Sequence, residues 1–356
     1  MKLDIDIQRD NRGNIASIEE TTRDSKPRMF MMVGLPGSGK SSIAKHIFVT
    51  RKSGLGADDD GNIYDLPSET RRPYIYSSDK IRGEICGDEN SQEQNEKVFL
   101  KLHRRIKNAL DNRVDVIYDA TNIHKKRRIA FLNELSNIEC HKVCICVMTP
   151  YEQCLMNNRN RDKEVPEHVI KRMYTSWCPP HIHEGWDNII MLYQYGSDYL
   201  KQRYTTRNFF IDYIGADYIP QDNKHHSLTI GDHCRATKSN LLDQHDTVMT
   251  TAALLHDCGK PFTKSHFDSN GNLGDQAHYY GHQCCGAYDS LFYMDNDFKM
   301  LTEDEKLDTA NIVYYHMHPF LSWKQSENAK ERDINTIGFD MYCQVMELHA
   351  ADEDAH

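Results

Sequence analysis

Residues 34–41 read Gly-Leu-Pro-Gly-Ser-Gly-Lys-Ser, directly after the apolar run 29–33 and at the start of a helical pattern over 40–49. Gly34, then four residues, then Gly39-Lys40-Ser41 is the spacing of a strand that turns through a glycine-rich loop into a helix. The glycines let successive backbone N–H groups face phosphate oxygens, and the helix amino end adds a favourable dipole. A strand-to-helix turn without a ligand is the plain alternative. Such a loop belongs to a parallel sheet, and the following residues supply one. Apolar runs at 74–78, 115–119, 142–148 and 188–193 read as further core strands, with helical patterns over 95–111 and 125–135 between them. Strands alternating with helices predict a parallel α/β sheet with helices on both faces.

Residues 2–19 alternate apolar and polar around the turn residues Asn11-Arg-Gly-Asn14, so they read as a hairpin able to extend a sheet edge. Residues 52–72 are rich in Gly, Asp and Ser and read as a surface insertion. The pattern changes after residue 200. Apolar spacing becomes helical at 247–255, 307–315 and 341–349, and twelve of the nineteen histidines fall in 225–356. Two domains are expected, 1–200 and 201–356, with the change-over somewhere in 196–222. At 356 residues the chain is long enough for both to bury cores.

No apolar run is long enough to span a bilayer and no apolar segment follows the start, so a cytoplasmic protein without a membrane partner is expected. Eleven cysteines without small-scaffold spacing fit reduced thiols. The formal net charge of −10 argues against a tight, sequence-blind grip on long nucleic acid. A short basic track from Lys125, Lys126, Arg127 and Arg128 remains open, beside the simpler reading of a solvated helix face.

Within the glycine-rich loop, Gly34, Pro36, Gly37, Ser38, Gly39, Lys40, Ser41 and Ser42 are the candidate nucleotide contacts. Lys40 would hold the β- and γ-phosphates, and Ser41 would ligate Mg2+ carried with ATP or another NTP. Asp79, after the second strand, could accept a proton from an attacking hydroxyl. Arg82, three residues on, could hold an acceptor phosphate. A helix cap with a salt bridge would use the same two residues. Asp119 ends the third strand, where a magnesium-water ligand or an acceptor contact would sit; a strand-end cap is its structural alternative. Arg159 and Arg161, after the fourth strand, could close over the phosphates as a lid, or belong to a surface helix.

Residues 28–175 resemble the P-loop 5′-hydroxyl polynucleotide kinases of phage and bacterial RNA repair. The matching stretches are the loop itself, Ser78-Asp-Lys-Ile-Arg82, Asp119-Ala-Thr-Asn122 with its four following cations, and Arg159-Asn-Arg-Asp162 with Val165, Pro166, Ile170, Met173 and Tyr174 behind it. The resemblance implies that Asp79 is the general base. It implies that Arg82, Asp119 and Asn122 serve the acceptor side, and that Arg159 and Arg161 are lid arginines.

A second constellation lies in the histidine-rich part: His233, His256-Asp257, His282, His316 and Asp352, each in or beside a helical pattern. Imidazole and carboxylate suit manganese, iron, nickel, cobalt or zinc, and carboxylate also suits magnesium. Two such metals could clamp a phosphate and supply a nucleophile. The set, with Leu254-Leu-His-Asp-Cys-Gly-Lys260 at its centre, resembles the HD-type phosphohydrolases, which implies an all-α HD-type domain over roughly 209–356. By that pattern His233, His256, Asp257 and Asp352 hold one metal, and His282 and His316 complete a second. His278 competes with His282, and His318 with His316. Lys260 would contact the scissile phosphate, with His226 a weaker candidate.

A 5′-hydroxyl kinase joined to an HD phosphohydrolase resembles the bacterial bifunctional end-healing enzymes, in which the HD domain comes first rather than second. The implied function is repair of RNA ends, or DNA ends with RNA favoured. An NTP would phosphorylate a 5′-hydroxyl, a 2′,3′-cyclic phosphate or a 2′- or 3′-phosphate would be hydrolysed, and a separate RNA ligase would seal the product. A nucleoside or nucleotide kinase fused to an HD nucleotidase needs no nucleic acid and fits the acidic charge. A regulatory or defence module gated by nucleotide is a third reading.

Overall fold

The computed structural model describes residues 4–11, 15–22, 24–52, 55–57, 63–65, 68–89, 93–161, 163–195, 219–222, 227–297 and 300–355. The chain divides into two compact units. One comprises Met1–Asn122, Lys126–Val165 and Gly185–Gln194; the other comprises Ile123–Lys125, Pro166–Glu184 and Tyr195–His356. Residues 166–184 thus group with the helical unit. The expected domain junction at 200/201 and His226 lie outside the described residues.

In the first unit, β1 (Asp4–Arg9) and β2 (Ile15–Thr22) form the expected antiparallel hairpin. β3 (Arg28–Val33) leads into the glycine-rich loop and α1 (Lys40–Ile43). Here the chain departs from expectation. The helix over 40–49 stops after four residues, a 3-10 turn follows at Ala44–His46, and β4 (Ile47–Lys52) begins. Ile43, Ala44, Ile47 and Phe48 have helical spacing, but Ile47-Phe-Val-Thr is also rich in β-branched and aromatic residues, and in β4 Ile47 and Val49 point inward while Phe48 is half-exposed.

β4 pairs in parallel with β2 and antiparallel with β7 (Ser68–Arg71), after the short pair β5 (Leu55–Ala57) and β6 (Ile63–Asp65). The hairpin and part of the expected insertion therefore form a separate four-stranded sheet, β1-β2-β4-β7, and do not extend an edge of the main one.

The main sheet is parallel and takes the order β11-β10-β3-β9-β8, from β8 (Tyr74–Ser77), β9 (Val116–Asp119), β10 (His141–Met148) and β11 (Asn188–Tyr193). Between these strands run α2 (Ser78–Cys86), α3 (Asn95–Asp111), α4 (Lys125–Glu134) and α5 (Tyr151–Arg159). Side chains alternate across each strand, so Tyr118 faces Phe131 of α4 and His103 of α3. Phe30, Met32, Ile117, Val143 and Ile145 join a core with Ile15 and Ile18 of β2 and Ile47 and Val49 of β4. The expectation of helices on both faces is thus corrected: among the described residues, the second sheet and the short α1 cover that face. With the helix cut short, its apolar side chains are replaced there by the inward row of a strand.

The second unit is helical: α6 (Glu167–Tyr174), α7 (Ile230–Ser239), α8 (Thr247–Leu255), the one-turn α9 (Lys260–Thr263), α10 (His282–Asp297), α11 (Glu303–Tyr315), the one-turn α12 (Ser322–Gln325), α13 (Glu327–Ile337) and α14 (Phe339–Glu353). It is not all-α, because β12 (Ser265–Phe267) and β13 (Leu273–His278) form a hairpin between α9 and α10. Its core gathers Met249, Ala252, Ile312, Tyr315, Val345 and Leu348. No described helix is long and apolar enough to cross a membrane, and all eleven cysteines are free.

Candidate functional sites

β3 sits at the centre of the main sheet, where the strand order reverses between β9 on one side and β10 on the other. Ligands bind in the crevice beyond the carboxyl ends of strands at such a point. The loop occupies that position, and at two of its glycines there is no room for a side chain. A Cβ on Gly34 would lie 2.6 Å from the Val147 carbonyl oxygen, and one on Gly37 would lie 2.1 Å from that of Cys154 at a φ of +81°. Neighbours fix the loop from outside. Thr149 Oγ1 donates to the Ser38 carbonyl (2.9 Å), Asn157 Nδ2 donates to the Gly37 carbonyl (2.9 Å), and Gly34 N donates to Thr121 O (3.0 Å). Thr149 and Asn157 were not marked by sequence, and Thr121 was marked only as part of the Asp119–Asn122 stretch, without a role.

Lys40 is buried, with Nζ donating to Leu35 O at 2.6 Å and Ser38 Oγ at 3.3 Å. Burial pulls its pKa down, while Asp119 and Asp79 act in the opposite sense. Asp119 is also buried at the end of β9. Desolvation raises its pKa against the pull of Lys40 and a hydrogen bond from the Ser41 hydroxyl. A carboxylate bonded to the hydroxyl after the loop lysine is a donor set that fits a nucleotide-borne Mg2+. Because α1 spans only four residues, the attraction for anions rests on the loop's amides and Lys40 more than on a helix dipole.

Asp79 lies in the first turn of α2, its side chain 55% exposed, and accepts from Arg82 Nη1 at 2.8 Å. Arg82 is buried and also donates to Glu89 O and Asn95 Oδ1, while its Nε has no partner among the described residues. The acid and the cation expected on the acceptor side therefore form one ion pair. Asn122, at a left-handed φ of +47°, donates from Nδ2 to Met32 O and accepts on its carbonyl from the buried Arg128. Arg159 and Arg161 are exposed at the end of α5. There the buried Asn158 binds Val165 through both carboxamide atoms, at 2.8 and 3.0 Å, and pinches the 158–165 loop closed. Of the possible basic track, Lys125 donates to Asp333 (2.6 Å) and Tyr315 OH (2.5 Å), and Arg128 is buried, so only Lys126 and Arg127 are exposed.

In the second unit the spaced histidines converge. Each imidazole donates Nδ1–H to a backbone carbonyl: His233 to Ala355 (2.8 Å), His256 to Ala253 (2.8 Å), His282 to Tyr279 (2.8 Å) and His316 to Val313 (2.6 Å). A carbonyl only accepts, so each Nδ1 carries the proton and each Nε2 turns a lone pair inward. Such lone pairs repel one another unless a proton or a metal ion lies between them. His233 Nε2 lies 3.3 Å from His256 Nε2 and 2.8 Å from Asp352 Oδ1, and His282 Nε2 lies 3.1 Å from His316 Nε2. The set contains two three-residue ligand groups, His233–His256–Asp257 and Asp257–His282–His316, that share Asp257. Its Oδ2 faces the first group and its Oδ1 the second. A donor set of four imidazole nitrogens and two carboxylates fits one or two divalent metals.

Lys260 Nζ reaches Asp257 Oδ2 at 2.6 Å and Gln221 Oε1 at 2.7 Å. Burial would raise the Asp257 pKa, but Lys260 and the surrounding imidazoles hold it well below the usual range. Burial opposes charge on His256 too, but Asp257, Cys234 and Asp352 together outweigh it, so this imidazole is held well above its ordinary value. Burial, and then the two facing imidazoles His282 and His256, push His316 well below. Two sequence alternatives separate cleanly. His316 joins the cluster, while His318 faces Asp333 and Trp323; His282 joins it, while His278 stacks on Tyr280. Gln221 was missed, since a lone glutamine carries no metal or phosphate signature.

Residues 29–180 match the family model described as "AAA domain". The L-seryl-tRNA(Sec) kinase of Methanococcus maripaludis is 28% identical over 161 residues, which are 45% of this chain and 56% of that protein. The chain thus spans about half the length of this curated relative. With the central glycine loop and the parallel order of the sheet, both findings support one conclusion: the chain contains an α/β domain of the P-loop kinase kind.

Proposed function

We propose that the chain heals nucleic-acid ends, RNA above all: the P-loop unit phosphorylates a 5′-hydroxyl from an NTP, and the helical unit is an HD-type phosphohydrolase acting on a 2′,3′-cyclic phosphate or a 2′- or 3′-phosphate. The observation that carries the reading is the presence, in one chain, of a triphosphate cradle and a separate cluster in which four imidazoles face two carboxylates. The relative named as a kinase of a tRNA-linked serine supports an acceptor hydroxyl borne by RNA.

In the kinase step, the loop amides and Lys40 hold the triphosphate, and Asp119 and Ser41 hold the Mg2+ that travels with it. Asp79, exposed and oriented by Arg82, takes the proton of the attacking hydroxyl. Arg82 then presents its remaining donors to the acceptor phosphate, and Arg159 and Arg161 offset charge developing on the transferred group. In the hydrolytic step, His233, His256, Asp257 and Asp352 would hold one metal, and His282, His316 and Asp257 a second. Bound metal supplies Lewis acidity and an activated water. Lys260, beside Asp257, neutralises the phosphate undergoing hydrolysis.

The test is an RNA carrying a 5′-hydroxyl and a 2′,3′-cyclic phosphate, incubated with ATP, Mg2+ and Mn2+, with both termini identified afterwards. Asp79→Ala is expected to abolish 5′-phosphorylation and spare hydrolysis, and Asp257→Ala to do the reverse. Loss of both activities in either folded variant would refute the division of labour. A nucleoside or nucleotide kinase joined to a nucleotidase fits the charge of −10; faster phosphorylation of free nucleosides than of a 5′-hydroxyl oligonucleotide would favour it.

A further inference from the structure

A cavity of about 320 Å³ lies in the second unit, among the segment after His316, α12, α13 and α14. Its lining is aromatic and basic: Phe320, Trp323 and Tyr342, with Lys324, Lys330 and His349. Met346 and Pro319 add little aliphatic surface, and Glu353 places one carboxylate at the rim. The aromatic walls are held in place. Trp323 is buried, and its Nε1 donates to Asp333 Oδ2 at 2.9 Å. Tyr342 packs on it at 5.4 Å between ring centroids, and the Phe320 and His349 rings meet near-perpendicular with centroids 4.3 Å apart.

Three features narrow the occupant. Preset aromatic faces suit a planar ring that stacks, as nucleobases do on such side chains. His349, which lines the cavity, carries a buried Nδ1 with no hydrogen-bond partner among the described residues, an unmet polar atom beside the site. Lys324 is exposed and has no ion-pair partner among the described residues, while Lys330 is shared with Glu327 at 3.2 Å and lies over one face of Tyr342, 5.6 Å from the ring centroid. A fatty ligand would find few aliphatic contacts here, and no need for the lysines.

The cavity is also tied to the metal-ligand cluster through the chain. Phe320 follows His316 by four residues. His349 precedes Asp352 by three, less than one turn of α14.

We propose that this cavity is a nucleotide-binding subsite of the phosphohydrolase, with the base against Trp323, Tyr342 and Phe320 and a phosphate against Lys324. The assignment rests on the phosphohydrolase reading above, and it makes the substrate a nucleotide unit and not any phosphomonoester.

The test uses the full-length protein and two probes: an oligoribonucleotide ending in 3′-phosphorylated 4-thiouridine, and 4-thiouridine 3′-monophosphate. Ultraviolet cross-linking with peptide mass spectrometry is expected to place adducts on peptides carrying Trp323 or Tyr342. Adducts with the oligonucleotide alone identify RNA as the source of the nucleotide; adducts with both identify free nucleotide as sufficient. Tyr342→Ala and Lys324→Ala are each expected to lower the preference for the oligonucleotide over β-glycerophosphate, which has no base, by roughly tenfold. Adducts confined to other peptides, no adduct with either probe, or an unaltered preference would overturn the proposal. If the wild-type protein hydrolyses no phosphoester, the phosphohydrolase reading fails, and the position of the cross-link alone decides the subsite.

Discussion

Asp257 has a geometry no other residue of the cluster shares. One oxygen faces His233 and His256, and the other faces His282 and His316. Removing it should therefore differ in kind from removing a terminal ligand. Wild-type protein purified with Mn2+ or Zn2+ is expected to carry one to two ions per chain by elemental analysis; His282→Ala should lower the content by one group, and Asp257→Ala should empty both. A second effect follows because metal binds the folded cluster: the ion should stabilise the protein by about 2.7 kcal/mol at a hundredfold excess over Kd, measured as a shift in thermal unfolding that a chelator reverses. Equal metal content in both variants would break the assignment of a shared carboxylate. The ligands were readable from sequence because histidine next to aspartate, with further histidines in helical registers, is a rare composition. Thr149, Asn157, Asn158 and Gln221 were not readable. They act through single hydrogen bonds to backbone or to another side chain, and polar residues of that kind occur throughout any surface.

At the level of elements, the core strands announce themselves as apolar runs, and each falls within about one residue of its expected span. The stretch after the P-loop does not, since Ile43, Ala44, Ile47 and Phe48 satisfy two periodicities and only pairing with β2 decides between them. That pairing is anchored by buried charge. Arg28 at the start of β3 is fully buried, bidentate to the equally buried Glu20 of β2, and bonded to Asp24. Arg51 of β4 meets Asp115, whose carboxylate also accepts from Arg28 N. Glu20→Ala would leave a guanidinium buried with half its partners. It is expected to cost about 3 kcal/mol of unfolding free energy in urea titrations. Asp24 adds a pH dependence. Although burial raises its pKa, Arg28 and His141 hold it far below the ordinary value. The stability it contributes is present above the usual aspartate range and is lost as pH falls towards the depressed value. A Glu20→Ala protein as stable as wild type would mean the second sheet is held by its apolar row alone.

For the molecule as a whole, charge limits how an RNA end is held. The net charge is −10, and two of the four cations following Asn122 are engaged inside the structure, Lys125 by Asp333 and Arg128 by the Asn122 carbonyl. Of the cations singled out by sequence for the basic track and the lid, Lys126, Arg127, Arg159 and Arg161 are exposed. Recognition should then be local to the terminus, with roughly two to four phosphates neutralised and not a long tract. For single strands each neutralised phosphate contributes about −0.7 to the slope of log affinity against log salt. The KM for a 5′-hydroxyl oligoribonucleotide is accordingly expected to rise about 7- to 50-fold between 50 and 200 mM salt, with kcat little altered. Arg127→Ala should flatten the slope by about 0.7 without changing kcat. A KM indifferent to salt would point instead to a free nucleoside as acceptor. A rise of a thousandfold or more would mean that cations beyond these four also grip the strand.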